Sequence, residues 1–163
     1  NLDKLDWKKV FKILEESQCI QIFQLESKEQ FWTKEEWHSF MLNPKKENRQ
    51  FLEALYHQSW MFDQLEVCRS YPKYSWSIKT YNLIWQGYLW MGIERLKINQ
   101  DFSIHQCYMY LKKLATKKKI RFSSCYKQEK VCKCEIEQFL KKIMLETNCL
   151  ALLPDGKWKK IKN

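Results

Sequence analysis

The sequence predicts an α+β fold that is mostly helical, and three observations carry that prediction. Apolar residues recur at three- and four-residue spacing over most of the 163 residues. Short runs of alternating or extended-favouring residues stand between those stretches. Gly and Pro number only three each, which leaves little material for a loop-rich or turn-rich all-β chain.

Taken in order, Leu2, Leu5, Trp7, Val10, Phe11 and Leu14 form the stripe of a first helix. Cys19–Leu25 alternates Ile20 and Ile22 with Gln21 and Phe23, which predicts a short strand. Thr33 followed by Glu36 is a capping box, and the helix it opens carries Trp37, Phe40 and Met41 and stops before Asn43-Pro44. A further helix over Lys45–His57 places Phe51, Leu52, Leu55 and Tyr56 on one face. Trp60–Cys68 reads as a strand, Arg69–Lys73 as a turn and Tyr74–Ile78 as the return strand.

The second half repeats the order. Tyr81, Ile84, Trp85, Tyr88, Leu89 and Leu96 stripe a long helix. Gly87 and Gly92 inside it cost about 1 kcal/mol each relative to Ala, so they mark close packing. Phe102–Ile104 is a short strand, and Ser103 with Gln106 makes a second capping box. Ile104, Cys107, Tyr108, Leu111, Leu114 and Ala115 stripe the next helix, Ile120–Ser123 is extended, and Gln128–Thr147 is a long helix. Asp155-Gly156 between Cys149–Leu153 and Lys157–Ile161 signals a terminal hairpin. Helices followed by a hairpin, twice over, predict two tandem winged-helix units, 1–79 and 80–163, joined near Lys79–Thr80 without a long flexible linker.

Composition narrows the function classes. At 45% hydrophobic residues the chain sustains a packed core. It has no run of 18 apolar residues and hence no apolar membrane-spanning helix. Neither GxGxxG nor GxxxxGKS/T occurs, so a Gly-rich phosphate cradle is not expected. Seven Cys is an odd count, which prevents full internal pairing and predicts a reducing, intracellular setting. The chain starts at Asn1 without Met or an apolar leader and reads as the C-terminal piece of something longer. Residues 1–78 hold 11 Lys/Arg against 12 Asp/Glu, whereas 79–163 hold 18 against 7, so the +10 net charge comes entirely from the second half. A basic half of this kind seeks phosphate or an acidic protein surface.

With both hairpins placed, the chain resembles the C-terminal region of the middle (suppressor-of-cdc-thirteen) subunit of the CST telomere complex, in its ciliate, telomerase-associated form. The resemblance spans the chain as pattern rather than identity. It rests on Leu52-Glu-Ala-Leu-Tyr-His57, Trp60-Met-Phe62, Cys107–Leu114, Ile120-Arg121-Phe122 and the Ile136–Leu145 segment before the last hairpin. The Cys132-x-Cys134 pair and the eight Trp are departures from that family. The resemblance implies two tandem winged helices acting without catalysis as a protein-interaction module. Its partners would be other CST-like subunits, telomerase holoenzyme proteins and DNA polymerase alpha-primase, in C-strand fill-in at the telomeres of nuclear chromosomes. Two alternatives stand beside it: a winged-helix DNA-binding module, and a tandem winged helix like the ESCRT-II small subunit, although that family's Pro-Pro-Phe-type motif is absent.

His105, Cys107, Cys125, Cys132 and Cys134 lie close in sequence, but no CxxC occurs and the spacing fits no zinc ribbon or finger, so no metal is expected. No signature of nucleophilic catalysis surrounds His38, His57 or His105, and neither an enzyme nor a cofactor is predicted. The interaction candidates are Lys112, Lys113, Lys117, Lys118, Lys119 and Arg121, with Tyr108, Tyr110 and Phe122 interleaved, and Lys157, Trp158, Lys159 and Lys160 in the terminal hairpin. Cations mixed with aromatics suit weak single-stranded DNA contact. They suit an acidic protein equally, with Trp158 as the candidate anchor against its plainer role as a core residue. Glu129, Glu135 and Glu137 on the long helix oppose phosphate and argue against duplex reading.

Overall fold

The computed structural model describes residues 32–42, 45–70 and 72–163. The expected first helix and the Cys19–Leu25 strand lie outside those residues. The described part is α+β and mostly helical, with a small three-stranded sheet at the C-terminal end. Its helices are α1 (Lys34–Leu42), α2 (Lys46–Gln58), α3 (Asn82–Glu94), α4 (Ile104–Thr116) and α5 (Gln128–Thr147), with a 3-10 helix over Phe62–Cys68. The strands are β1 (Asp101–Phe102), β2 (Leu150–Leu152) and β3 (Trp158–Lys160).

Both capping boxes form. The Thr33 amide donates to Glu36 Oε2 at 3.0 Å and the Glu36 amide to Thr33 Oγ1 at 3.1 Å. Ser103 and Gln106 make the same reciprocal pair at the start of α4. Each satisfies amides that the first turn of a helix leaves without an internal partner. On α2, Phe51 and Leu55 are buried, but Tyr56 is 82% exposed, at the edge of the stripe expected to hold it.

The expected strand Trp60–Cys68 is instead the 3-10 helix. Phe62, Leu65 and Cys68 recur every three residues, the period of a 3-10 turn, and the last two are fully buried. Tyr74–Ile78 is not a strand either. Its residues make one isolated antiparallel bridge, Ile78 to Phe122, flanked by Lys79 N–H to Arg121 O at 2.8 Å and Ser123 N–H to Ser77 O at 2.8 Å. The first hairpin is therefore absent among the described residues.

In the second half the expected elements are found. α3 is buried almost all round, with Leu83, Ile84, Trp85, Leu89 and Met91 in the core. Gly87 lets Phe51 of α2 approach: a Cβ there would sit 2.6 Å from the Phe51 ring. The sheet has the order β1-β3-β2, all antiparallel, with Phe102 opposite Trp158, Leu152 opposite Trp158 and Leu150 opposite Lys160. Gly156 turns the hairpin at φ +82°. One continuous buried cluster runs from Trp32 and Phe40 through Phe51, Leu65 and α3 to Phe139, Leu140 and Trp158. Aromatic edges stitch it together, Trp60 meeting Trp90 at 6.2 Å and Trp85 meeting Phe139 at 5.9 Å.

Candidate functional site

The basic candidates divide by burial. α4 turns Cys107, Tyr108, Leu111 and Leu114 inward. The helical period then places His105, Met109, Lys112 and Lys113 on the opposite, exposed face. The helix ends in a tight turn: Lys118 stands at φ +58°, its amide donates to Ala115 O at 2.9 Å, and the Lys119 amide donates to Leu114 O at 2.9 Å. Lys117, Lys118 and Lys119 thus gather where the carbonyl end of α4 favours positive charge. Lys119 Nζ lies 5.9 Å from the Tyr88 ring centre.

Arg121 is differently placed. Its Nε is paired with Glu47 of α2, and its amide donates to Thr80 Oγ1 at 2.8 Å. Thr80 Oγ1 donates in turn to Glu47 Oε2 at 3.3 Å. Arg121 therefore joins the two halves of the chain, although much of its side chain stays exposed.

The aromatics expected to alternate with these cations do not form a stacking surface. Tyr108 is buried beneath Lys112 and Lys133, whose ammonium groups lie 5.8 and 5.7 Å from its ring centre. Tyr110 is half-buried and its hydroxyl donates to Tyr88 O at 3.2 Å. Phe122 is half-buried in the bridge to Ile78.

In the hairpin, alternation along β3 sends Trp158 and Lys160 to the inner face, and both are fully buried. Trp158 is therefore a core residue rather than an exposed anchor. The Lys160 ammonium donates to Glu94 O at 2.7 Å and Leu96 O at 3.0 Å, the carbonyls at the end of α3. Lys159 is half-buried, 3.8 Å from Asp101, and only Lys157 of the four hairpin candidates stands fully in solvent.

The long helix α5 is covered on two sides. From Val131 to Met144 every residue is buried or half-buried, and Lys133, Glu137 and Lys141 keep about a third of their side chains open. Glu135, expected among the carboxylates opposing phosphate, is buried and accepts hydrogen bonds from the Trp76 amide at 3.0 Å, the Ser77 amide at 2.9 Å and the Ser77 hydroxyl. Burial raises its pKa above the ordinary carboxylate range, against those hydrogen bonds, which pull it down. Lys142 reaches the Ser70 hydroxyl. The remaining charges of α5 pair locally, Lys133 with Glu129 and Lys141 with Glu137, each at 3.3 Å.

Among the described residues no three His, Cys, Asp or Glu side chains are grouped to hold a metal ion. Cys107 and Cys132 are buried, and burial pushes both thiols up to about 12. Such thiols stay protonated near neutrality and act as small apolar groups. His105 is well exposed and 4.0 Å from Glu129.

Compared with known protein families, curated proteins and solved structures, the chain matches none.

Proposed function

We propose that this chain is a non-catalytic protein-interaction module whose residues 80–163 form a winged helix and whose preceding residues pack against it as a helical companion. The order helix, strand, helix, helix, hairpin, with the sheet order β1-β3-β2, supports the winged-helix reading. In that fold α5 occupies the position of the helix that enters the major groove. The single observation that carries the docking reading is the burial of this helix. From Val131 to Met144 every residue is buried or half-buried, the 3-10 helix, Ser70 and residues 76–77 pack on one side, and the stripe left partly open, Lys133, Glu137 and Lys141, pairs its charges within the helix. A helix whose open stripe is this narrow and sets Glu137 beside its lysines presents little to base edges or phosphate, which disfavours the DNA-binding alternative.

Following the resemblance, we place the module in a CST-like telomere-maintenance complex associated with telomerase, where it helps recruit DNA polymerase alpha-primase. The test is binding of the purified chain to DNA polymerase alpha-primase and, separately, to duplex and single-stranded telomeric DNA at two salt concentrations. Saturable polymerase binding with weak, strongly salt-dependent DNA binding is expected. Tight duplex binding without polymerase binding refutes the proposal.

A further inference from the structure

Between Asp101 and Glu129 the chain contains no Asp or Glu, yet it holds Lys112, Lys113, Lys117, Lys118, Lys119, Arg121 and Lys127. Arg121 is taken by Glu47. Lys112, Lys113, Lys117 and Lys118 are exposed, and none of them meets a carboxylate among the described residues. On α5, by contrast, Lys133, Lys141 and Lys142 each face a carboxylate one turn away. The carbonyl end of α4 accounts for Lys117–Lys119, since cations there complement the helix dipole. It extends to Lys113 in the last turn of the helix, but it does not account for Lys112, nor for the exposed Met109 one turn before it.

We propose that the outer face of α4 and the turn that ends it bind an acidic protein segment that also carries apolar side chains. Lys112, Lys113, Lys117 and Lys118 receive its carboxylates, and Met109 packs against an apolar residue between them. The proposal rests on the docking-module reading and names the chemistry of the partner. From Met109 to Lys117 the face spans about 12 Å, the reach of two helical turns or four extended residues. Two observations select a carboxylate-bearing protein over a single-stranded nucleic acid. No aromatic ring is exposed on this face, since Tyr108 is buried under Lys112 and Tyr110 is held by Tyr88 O. Single strands gain much of their affinity from stacking on such rings. The exposed apolar group is instead Met109, an unbranched and adaptable thioether suited to an apolar protein side chain.

The test measures anisotropy of a fluorescent synthetic peptide of repeated Glu-Glu-Leu, and of labelled oligothymidylate, against the whole 163-residue chain. Three variants are compared, each checked for parental circular dichroism: Lys112→Glu/Lys113→Glu, Met109→Ser, and Lys157→Glu/Lys162→Glu, which makes the same charge change on the hairpin side. We expect peptide affinity to fall about tenfold or more in the first, to fall measurably in the second, and to change less than about twofold in the third. Equal losses in both charge-reversal variants would mean attraction to net charge alone and overturn the proposal. Absence of peptide binding by the parent overturns it while leaving the docking-module reading intact. Oligothymidylate binding tighter than peptide binding, and lost in the α4 variant, overturns both.

Discussion

Gly87 and Gly92 both lie in α3, and their surroundings give them opposite sensitivities. A methyl group at Gly87 would meet the Phe51 ring at 2.6 Å and Leu65 at 3.4 Å, and the ring it must displace is fully buried. Overpacking of that kind costs about 1–3 kcal/mol, which exceeds the roughly 1 kcal/mol of helix propensity that Ala restores. At Gly92 the nearest atom is the Tyr110 ring at 3.3 Å, and that ring is only half-buried. Gly87→Ala is therefore expected to lower the thermal midpoint and Gly92→Ala to leave it unchanged or raise it, as calorimetry on the two variants will read. Lys160 is the other residue whose role is settled by its contacts. Lys160→Met leaves two carbonyls at the end of α3 without their donor and is expected to destabilise by about 1–3 kcal/mol in urea unfolding. The Gly pair was legible in the sequence as a sign of close packing, because a helix interior seldom tolerates two glycines without a reason. The burial of Trp158 was legible as the plainer of its two roles, whereas that of Lys160 was not, since three residues of strand carry too little pattern to say which face points inward.

At the scale of elements, the second half is legible in the sequence and residues 60–78 are not, for a physical reason. Capping boxes, long amphipathic stripes and an Asp-Gly turn are local signals, and all of them hold in the structure. The spacing of Phe62, Leu65, Val67 and Cys68 satisfies a period of two or of three over so short a run, and packing against α3 selects three. Residues 74–78 look extended, but their amides are claimed by a side chain 58 residues away in sequence. That side chain, Glu135, is the element-scale keystone of the joint between residues 75–77 and α5. Replacing it with Gln turns an amide toward donors that need an acceptor, so Glu135→Gln is expected to lose stability at neutral pH. Because burial raises the Glu135 pKa, the folded chain holds a proton there at a pH where the unfolded chain has released it. The contribution of this group to stability therefore grows as pH falls toward the ordinary carboxylate range and shrinks as pH rises through the folded pKa. Urea titrations at pH 7.5 and pH 5.5 should show the wild-type chain gaining on Glu135→Gln upon acidification.

Over the whole molecule, the charge asymmetry between the halves has a structural counterpart. The basic half reaches back through Arg121 to Glu47 and through Lys142 to Ser70, while the N-terminal half sends Trp60 to Trp90 and Phe51 to Gly87. Ser77, Ile78 and Thr80 at the joint are buried, with Lys79 exposed between them. A protease needs several residues of extended, accessible backbone, and this joint offers one side chain only. Brief trypsin treatment is thus expected to cut at Lys117–Lys119, in the exposed turn after α4, well before Lys79, with mass spectrometry of the fragments as the readout. Early clean separation at Lys79 would show that the halves part easily in solution. The charge imbalance itself was visible from composition, but its use was not, because no sequence pattern tells a lysine that bridges two halves from one that faces solvent.

The lysine clamp at the end of α3 also makes a chemical clock. An amine-acylating reagent is attacked only by an uncharged amino group that it can reach, and the Lys160 nitrogen is enclosed by protein and held by two backbone oxygens. Lysines on the outside of α4 will be acylated within the first moments of exposure, whereas Lys160 must wait for the hairpin to lift away from α3. The rate at which Lys160 acquires the acyl group, followed by peptide mapping, should therefore report the opening of the C-terminal sheet alone.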